Sequence, residues 1–344
     1  MNHFDFDRFI SLWGEHLIMA AIWLMLTLSL NLINGFCGLF SLGHQGFWAV
    51  GAYAAGVTLT YIDGGWLGFF LSFPLAMMAA AFFGFIVGLP CLRLKGDYLA
   101  IATLGFSEII RNLVQNSEKL GQSLGMVLPN VIRKSVVERR NFYFIYIALA
   151  WFGAGLTLLV LRNIIQSSHG RAIKAVRDDE RAAEVLGVNL TRYKVLVFVT
   201  GAAFAGLAGA MFANYNAFIT PDHFSFNVGV LMVVMVVLGG MGSFTGTIMA
   251  TLVLYFTPVI LQLYLPDTRV PVFYDPTQGG VVYREVKDLW QVIFSLLLII
   301  VVLVRPQGIM GTREIRWPWQ PKTQPPPTPP SPPVDSEASA AGLA

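Results

Sequence analysis

The feature that most constrains this chain is a recurrence of apolar runs, each about as long as a bilayer is thick. They fall near 16–34, 36–60, 67–91, 97–117, 142–162, 195–216, 225–240, 243–264 and 288–304. A helix needs roughly 20 mainly apolar residues to cross the hydrocarbon layer. The 344 residues are 55% hydrophobic and only 12% charged, where a soluble domain carries about 25% charged residues. The expected fold is therefore all-α, a polytopic integral membrane helical bundle of about nine transmembrane helices, with eight to ten as its bounds. Lys+Arg 23 against Asp+Glu 20 is nearly balanced, which gives no reason to expect nucleic acid as a partner. Cys37 and Cys91 lie in or beside apolar runs and offer neither a disulfide framework nor metal spacing, so they read as small packing residues.

The opening MNHFDFDRF carries Asp5 and Asp7 where a cleaved signal would be basic. The first span is accordingly expected to remain uncleaved. In the run 36–60, Gly35, Gly38, Gly43, Gly46, Gly51 and Gly56 interrupt the pattern. A helix broken at membrane depth is tolerated only when buried in protein or lining a cavity. Gly239-Gly240-Met241-Gly242 marks a second candidate break or tight turn. Small residues crowd 201–210, and Gly84/Gly88 and Gly242/Gly246 repeat the same spacing, which reads as close helix packing in lipid.

Orientation follows from the basic loops. The 163–194 stretch is richest in Lys and Arg, which places it in the cytoplasm. Counting from it, 217–224 and 265–287 face out, while 239–243 and the tail after Arg305 face in. Residues 118–141 hold Lys119, Arg133, Lys134, Arg139 and Arg140, yet the same count puts them outside. Segment 265–287 alternates weakly around Pro276-Thr277-Gln278-Gly279-Gly280 and is expected to form a small external hairpin. Residues 1–317 are read as the transmembrane domain. Residues 318–344, with clustered prolines and no apolar periodicity, are read as a disordered cytoplasmic tail.

Between two of the spans lies the charged loop 168–194. Six Lys/Arg and four carboxylates fall within Gly170–Lys194, each costing a few kcal/mol at the bilayer centre. Ile173, Val176, Ala183 and Leu186 recur at helical spacing, predicting a short helix with one narrow apolar stripe. Gly187 is expected to end it in a left-handed turn, with Asn189 or Thr191 capping the next helix. A charged, ordered helix between two spans reads either as a docking element or as a solvated connector.

At this loop the chain resembles a known family. Arg181-Ala182-Ala183-Glu184-Val185-Leu186-Gly187 is similar to the Glu-Ala-Ala-x-x-x-Gly loop of ABC-importer permeases; Arg181 replaces the leading Glu, with Glu180 and Glu184 beside it. The stretches SLGHQGFWAVGAYAAG (41–56), RLKGDYLAIATLGFSEIIRN (93–112), TGAAFAGLAGAMFA (200–213), VVLGGMGSFTG (236–246) and RPQGIMG (305–311) resemble branched-chain amino acid ABC permeases in the same order. The resemblance implies a permease subunit in a bacterial inner membrane with a cytoplasmic C-terminus. Its implied partners are a second permease subunit, two cytoplasmic ATPases and a periplasmic binding protein, with ATP used by those partners and no cofactor in this chain. It also implies that Ile173, Val176, Glu180, Ala182, Ala183, Glu184, Leu186 and Gly187 form the ATPase-coupling element.

Polar residues within spans are the default markers of a path. Ser41, His44 and Gln45, loosened by Gly43 and Gly46, are the first such cluster, and Glu108 is a second candidate; the alternative is that His44 and Gln45 simply bond neighbouring backbone. Glu108, Arg111 and Asn112 stand three and four apart, which is also the spacing of an intrahelical ion pair. Asn214 and Asn216 follow a span and are read as marking its outer end. The sequence has no G-x-x-x-x-G-K-[ST] loop and no H-E-x-x-H, so neither ATP hydrolysis nor a zinc protease is expected here. A gradient-driven secondary transporter would show mid-span carboxylates and inverted halves, and Glu108 answers only weakly to that. Urea or short amides remain alternative cargoes within the ABC reading.

Overall fold

A computed structural model describes residues 6–62, 65–91, 96–129, 139–264, 269–275 and 280–285, with isolated positions at 94, 295, 296 and 299. The elements are α1 (Phe6–Asn31), α2 (His44–Tyr61), α3 (Trp66–Cys91), α4 (Asp97–Asn116), α5 (Arg139–Gln166), α6 (Ser168–Asp178), α7 (Glu180–Val185), α8 (Leu190–Tyr215), α9 (Phe226–Gly239) and α10 (Phe244–Tyr264). Two antiparallel ribbons join them. One pairs β1 (Met126–Val127) with β2 (Phe218–Ile219); the other pairs β3 (Arg269–Asp275) with β4 (Gly280–Glu285). Among the described residues five helices are long and apolar enough to cross a membrane, and α9 is a shorter apolar helix of 14 residues. The chain is a helical membrane protein.

Helix α8 is the post on which the bundle packs. Its small residues let three neighbours approach backbone to backbone. Gly201 faces Ile33 and the Ser29 carbonyl, Gly206 faces Ala76 and Ala80 of α3, and Gly209 faces Trp48 and Ala52 of α2. Gly84 and Gly88 of α3 lie against Ala202 and Phe198 of α8. Lipid tails are as apolar as leucine, so close dispersion contact replaces the hydrophobic effect as the cohesive force. The small-residue runs are thus packing faces within the chain. Asn216 does mark a helix end, its amide donating to the Phe212 carbonyl at 2.9 Å. Asn214 does more: its Nδ2 donates to Ser72 Oγ at 2.8 Å, and its carbonyl accepts from Tyr146 Oη–H at 2.6 Å. It ties α3, α5 and α8 together.

The contacts sort the loops into two ends. At one end Gly38 and Gly242 both lie against Arg177 of α6. At the other, Met126 pairs with Ile219, and Gly56 packs on Met126, Leu128 and Ile219. This grouping agrees with the loop count, which puts 163–194 with 239–243 and puts 118–141 with 217–224. The run 36–60 is not one helix. A π-helical turn (Leu32–Phe36) extends α1, residues 37–43 are irregular, and α2 begins only at His44. The expected hairpin is present as β3–β4, its register breaking between Pro271 and Phe273, where proline has no N–H for the ladder. Apart from positions 295, 296 and 299, the 288–304 run lies outside the described residues, as does the 318–344 tail.

A Cβ on Gly51 would stand 2.6 Å from the Gly206 carbonyl oxygen, whereas one on Gly155 meets nothing within 4 Å. Gly51→Ala should therefore force α2 from α8 and cost about 1–3 kcal/mol. Gly155→Ala should be neutral or stabilise by up to about 1 kcal/mol. Thermal denaturation of the two variants in detergent, read by size-exclusion chromatography, checks the contrast.

Candidate functional site

Two regions carry the polar chemistry. The first is the inner face of α1. Thr27, Asn31 and Asn34 recur at i, i+4 and i+7, and all are buried together with Ser29. Asn31 is satisfied on both sides: Oδ1 accepts from Gly242 N–H at 3.0 Å, and Nδ2 donates to Ser243 O at 3.0 Å and Thr247 Oγ1 at 2.9 Å. Thr27 Oγ1 meets Thr251 Oγ1 at 2.8 Å. Asn34 holds both backbone groups of Ser41, accepting from its N–H at 3.1 Å and donating to its carbonyl at 3.2 Å. Leu42 N–H donates to Thr103 Oγ1 at 3.1 Å. Side chains thus supply the hydrogen bonds that the broken backbone 37–43 and the 240–243 turn lack. These residues were missed in sequence; their signal was a polar stripe of helical period inside an apolar run.

Ser41, His44 and Gln45 are all deeply buried, at 0%, 1% and 1% exposure. His44 Nε2 lies 2.8 Å from Ser29 Oγ, and Gln45 Nε2 donates to Ser107 Oγ at 2.9 Å. Both side chains reach side chains of neighbouring helices. Glu108 is half-buried and does not join them. It pairs with Arg111 at 3.5 Å on its own helix, as the spacing anticipated, and Arg111 reaches on to Asp222 at 2.9 Å. Asn112 Nδ2 donates to the Glu108 carbonyl at 2.9 Å.

The second region is the charged loop, where the structure corrects the single-helix reading. Asp179 leaves the helical conformation, with φ −155 and ψ 113, and separates α6 from α7. Its carboxylate caps α7 by accepting from Arg181 N–H at 2.8 Å and Ala182 N–H at 3.1 Å, the favoured role of Asp at this position. The predicted stripe also divides. Ile173, Val176 and Ala183 are buried in the chain's own core, while Leu186 is 80% exposed and its neighbour Val185 88%. The stripe survives the break, since Ala183 stays buried beyond it, and divides only where α7 ends at Val185 and Leu186 caps it ahead of the left-handed Gly187. Ala182 and Glu184 are exposed, Glu180 half-buried. Gly187 takes φ +82, as anticipated, and Asn189 Oδ1 caps α8 by accepting from Arg192 N–H at 3.0 Å.

Two contacts anchor this loop. Lys194, 4% exposed, places Nζ 2.6 Å from Glu180 Oε1. Arg177 extends its side chain along Gly38 and toward Gly242, where a Cβ would stand 2.5 Å from its Nη1. The loop therefore rests on both irregular segments at once. Glu180→Gln removes the carboxylate opposite a buried ammonium and should cost about 1–3 kcal/mol, below the fully buried range because Glu180 is partly solvated. Glu180→Gln with Lys194→Met should recover most of that loss. Melting temperatures of the two single variants and the double variant close the cycle.

Comparison with known proteins agrees with this architecture. Residues 14–303 match the family described as branched-chain amino acid transport system / permease component. The chain is 33% identical over 316 residues to the high-affinity branched-chain amino acid transport system permease protein LivM of Salmonella typhimurium, covering 85% of this chain and 68% of that protein. It is 32% identical to LivM of Escherichia coli with the same coverage. To LivH of Escherichia coli it is 27% identical, over 90% of this chain and 98% of that protein. No solved structure matches. With a family match across most of its length and two relatives above 30% identity, the chain belongs to the branched-chain amino acid transport permease family.

Proposed function

We propose that this chain is a transmembrane permease subunit of an ABC importer for branched-chain and other apolar amino acids. Family membership carries the reading. A second permease subunit completes the pathway, two cytoplasmic ATPases drive it with ATP, and a periplasmic binding protein delivers the cargo. The protein lies in the bacterial inner membrane with about nine spans, its 168–194 loop and C-terminus in the cytoplasm and 265–287 outside. The Lys/Arg asymmetry supports this orientation.

Coupling runs through the charged loop. Val185 and Leu186 offer apolar surface outward, while Ile173, Val176 and Ala183 fasten the loop to the bundle. ATPase closure moves α7, and Arg177 transmits that motion to the two irregular segments at Gly38 and Gly242. Those segments are the places where the bundle bends without breaking a helix ladder.

Three experiments test this. In a cysteine-free background, an impermeant thiol reagent on intact cells should modify a cysteine at position 277 and not one at 178; the reverse would invert the topology. Leu186→Asp should weaken ATPase association roughly ten- to a hundredfold, the equivalent of losing about 1.5–3 kcal/mol of apolar burial, and leave the purified subunit equally stable. Ile173→Asp should instead destabilise the subunit. Gly187 has open space around it, so Gly187→Val adds backbone strain alone. It should abolish substrate-stimulated ATP hydrolysis in the reconstituted complex. Retention of both ATPase association and stimulated hydrolysis would reduce the loop to a solvated connector.

A further inference from the structure

Five buried polar atoms have no hydrogen-bond partner among the described residues. His44 Nδ1 belongs to a ring bonded to Ser29 of α1, and the other four, Gln45 Oε1, Trp48 Nε1, Tyr53 Oη and Arg111 Nε, lie along the junction of α2, α4 and the turn at 221–224. Gln45, Trp48 and Tyr53 are 1%, 5% and 4% exposed. A buried polar group left unsatisfied is destabilising, and native structures keep few of them. Four along one seam require a shared explanation.

The seam is contiguous. Gln45 bonds Ser107 at 2.9 Å, and Arg111 stands one helical turn beyond Ser107 on α4. The Trp48 ring lies 4.7 Å from that of Phe224, and the Tyr53 ring lies 5.8 Å from it. Asp222, two residues before Phe224, holds Arg111 at 2.9 Å. Gln45 to Tyr53 spans about 12 Å along α2. Asp222 has 78% of its side chain exposed, so the line runs from an open ion pair to a dry amide. Gly229 of α9 faces the Gln45 amide, and any side chain there would overlap it.

The chemistry of the four atoms is specific. Trp48, Tyr53 and Arg111 each have an N–H or O–H to donate, which suits a carboxylate. Gln45 Oε1 accepts, and Asp222 carries negative charge, which suits an ammonium. The Trp48 and Phe224 rings lie between, which suits an aliphatic side chain. We infer that this seam is the passage that receives the zwitterionic head of the amino acid, entering at the Arg111–Asp222 pair and handed inward to Gln45. The inference rests on the permease reading above and names its path. Weak donors spread along a seam hold the head without trapping it, as passage requires.

The test uses the complete transporter in liposomes with amino acid-loaded binding protein. Tyr53→Phe removes one O–H and no volume, and Trp48→Phe keeps a ring while losing the N–H. Leucine uptake at saturating binding protein should fall roughly tenfold in each, the scale of one lost hydrogen bond to a charged group. The melting temperature should be unchanged or higher, since an unmet polar atom has gone. Tyr61→Phe, on an exposed ring, is the control and should transport normally. Uptake within twofold of wild type in both variants would overturn the passage and mark the seam as merely hydrated. A parallel fall in uptake and melting temperature would also overturn it, assigning these groups to structure. A wild-type complex that takes up no amino acid would overturn the cargo reading as well, and so is told apart from failure of the seam alone.

Discussion

In a bilayer every backbone N–H and C=O must find its partner within the protein, and this one requirement explains the inner face of α1. Two segments of this bundle, 37–43 and 241–243, leave the helical ladder. Asn34 takes both backbone groups of Ser41, and Asn31 takes Gly242 N–H and Ser243 O. An apolar residue at Asn34 would leave both Ser41 backbone groups unmet, and one at Asn31 would leave the Gly242 N–H unmet while Ser243 O keeps Thr247. Each unmet group costs several kcal/mol in hydrocarbon. The polar stripe on α1 is therefore structural, and it is what permits irregular backbone there at all.

Around those breaks the bundle is held by close approach. Glycines and alanines of α8 bring α2 and α3 to backbone contact, an arrangement with little room for gradual deformation. The helices are interrupted only at a few places, among them 37–43 and 241–243. Arg177 lies on both interruptions, and the buried Lys194–Glu180 pair holds α7 to the start of α8. In the coupling proposed above, a loop fastened at these points carries the push of a docked ATPase to those two interruptions.

Charge marks the two ends differently. At the loop end a buried ammonium and its carboxylate lock an element to the bundle. At the other end the Arg111–Asp222 pair is partly solvated and leads into a row of buried polar atoms. One pair is buried and holds a loop to the bundle; the other is partly solvated and is the entrance in the inferred passage.

Much of this was legible in the sequence because it depends on local or compositional physics. Run length and the scarcity of charge determined a helical membrane protein. Glycine spacing announced the tight packing of 201–210 and the turn at 239–242. Gly187 and Asn189 declared a helix stop and a cap, since each acts within one turn of chain. The Glu108–Arg111 pair followed from i,i+3 spacing alone. Tertiary structure decided the rest. The apolar stripe of the loop was real, but only the fold could turn Ile173, Val176 and Ala183 inward and leave Leu186 outside, because α7 ends at Val185 and Leu186 falls on its cap. His44 and Gln45 were visible as polar, yet their partners Ser29 and Ser107 lie 15 and 62 residues away. Which buried atoms go unmet along the α2–α4 seam is likewise a property of three elements brought together, and no local pattern in the chain encodes it.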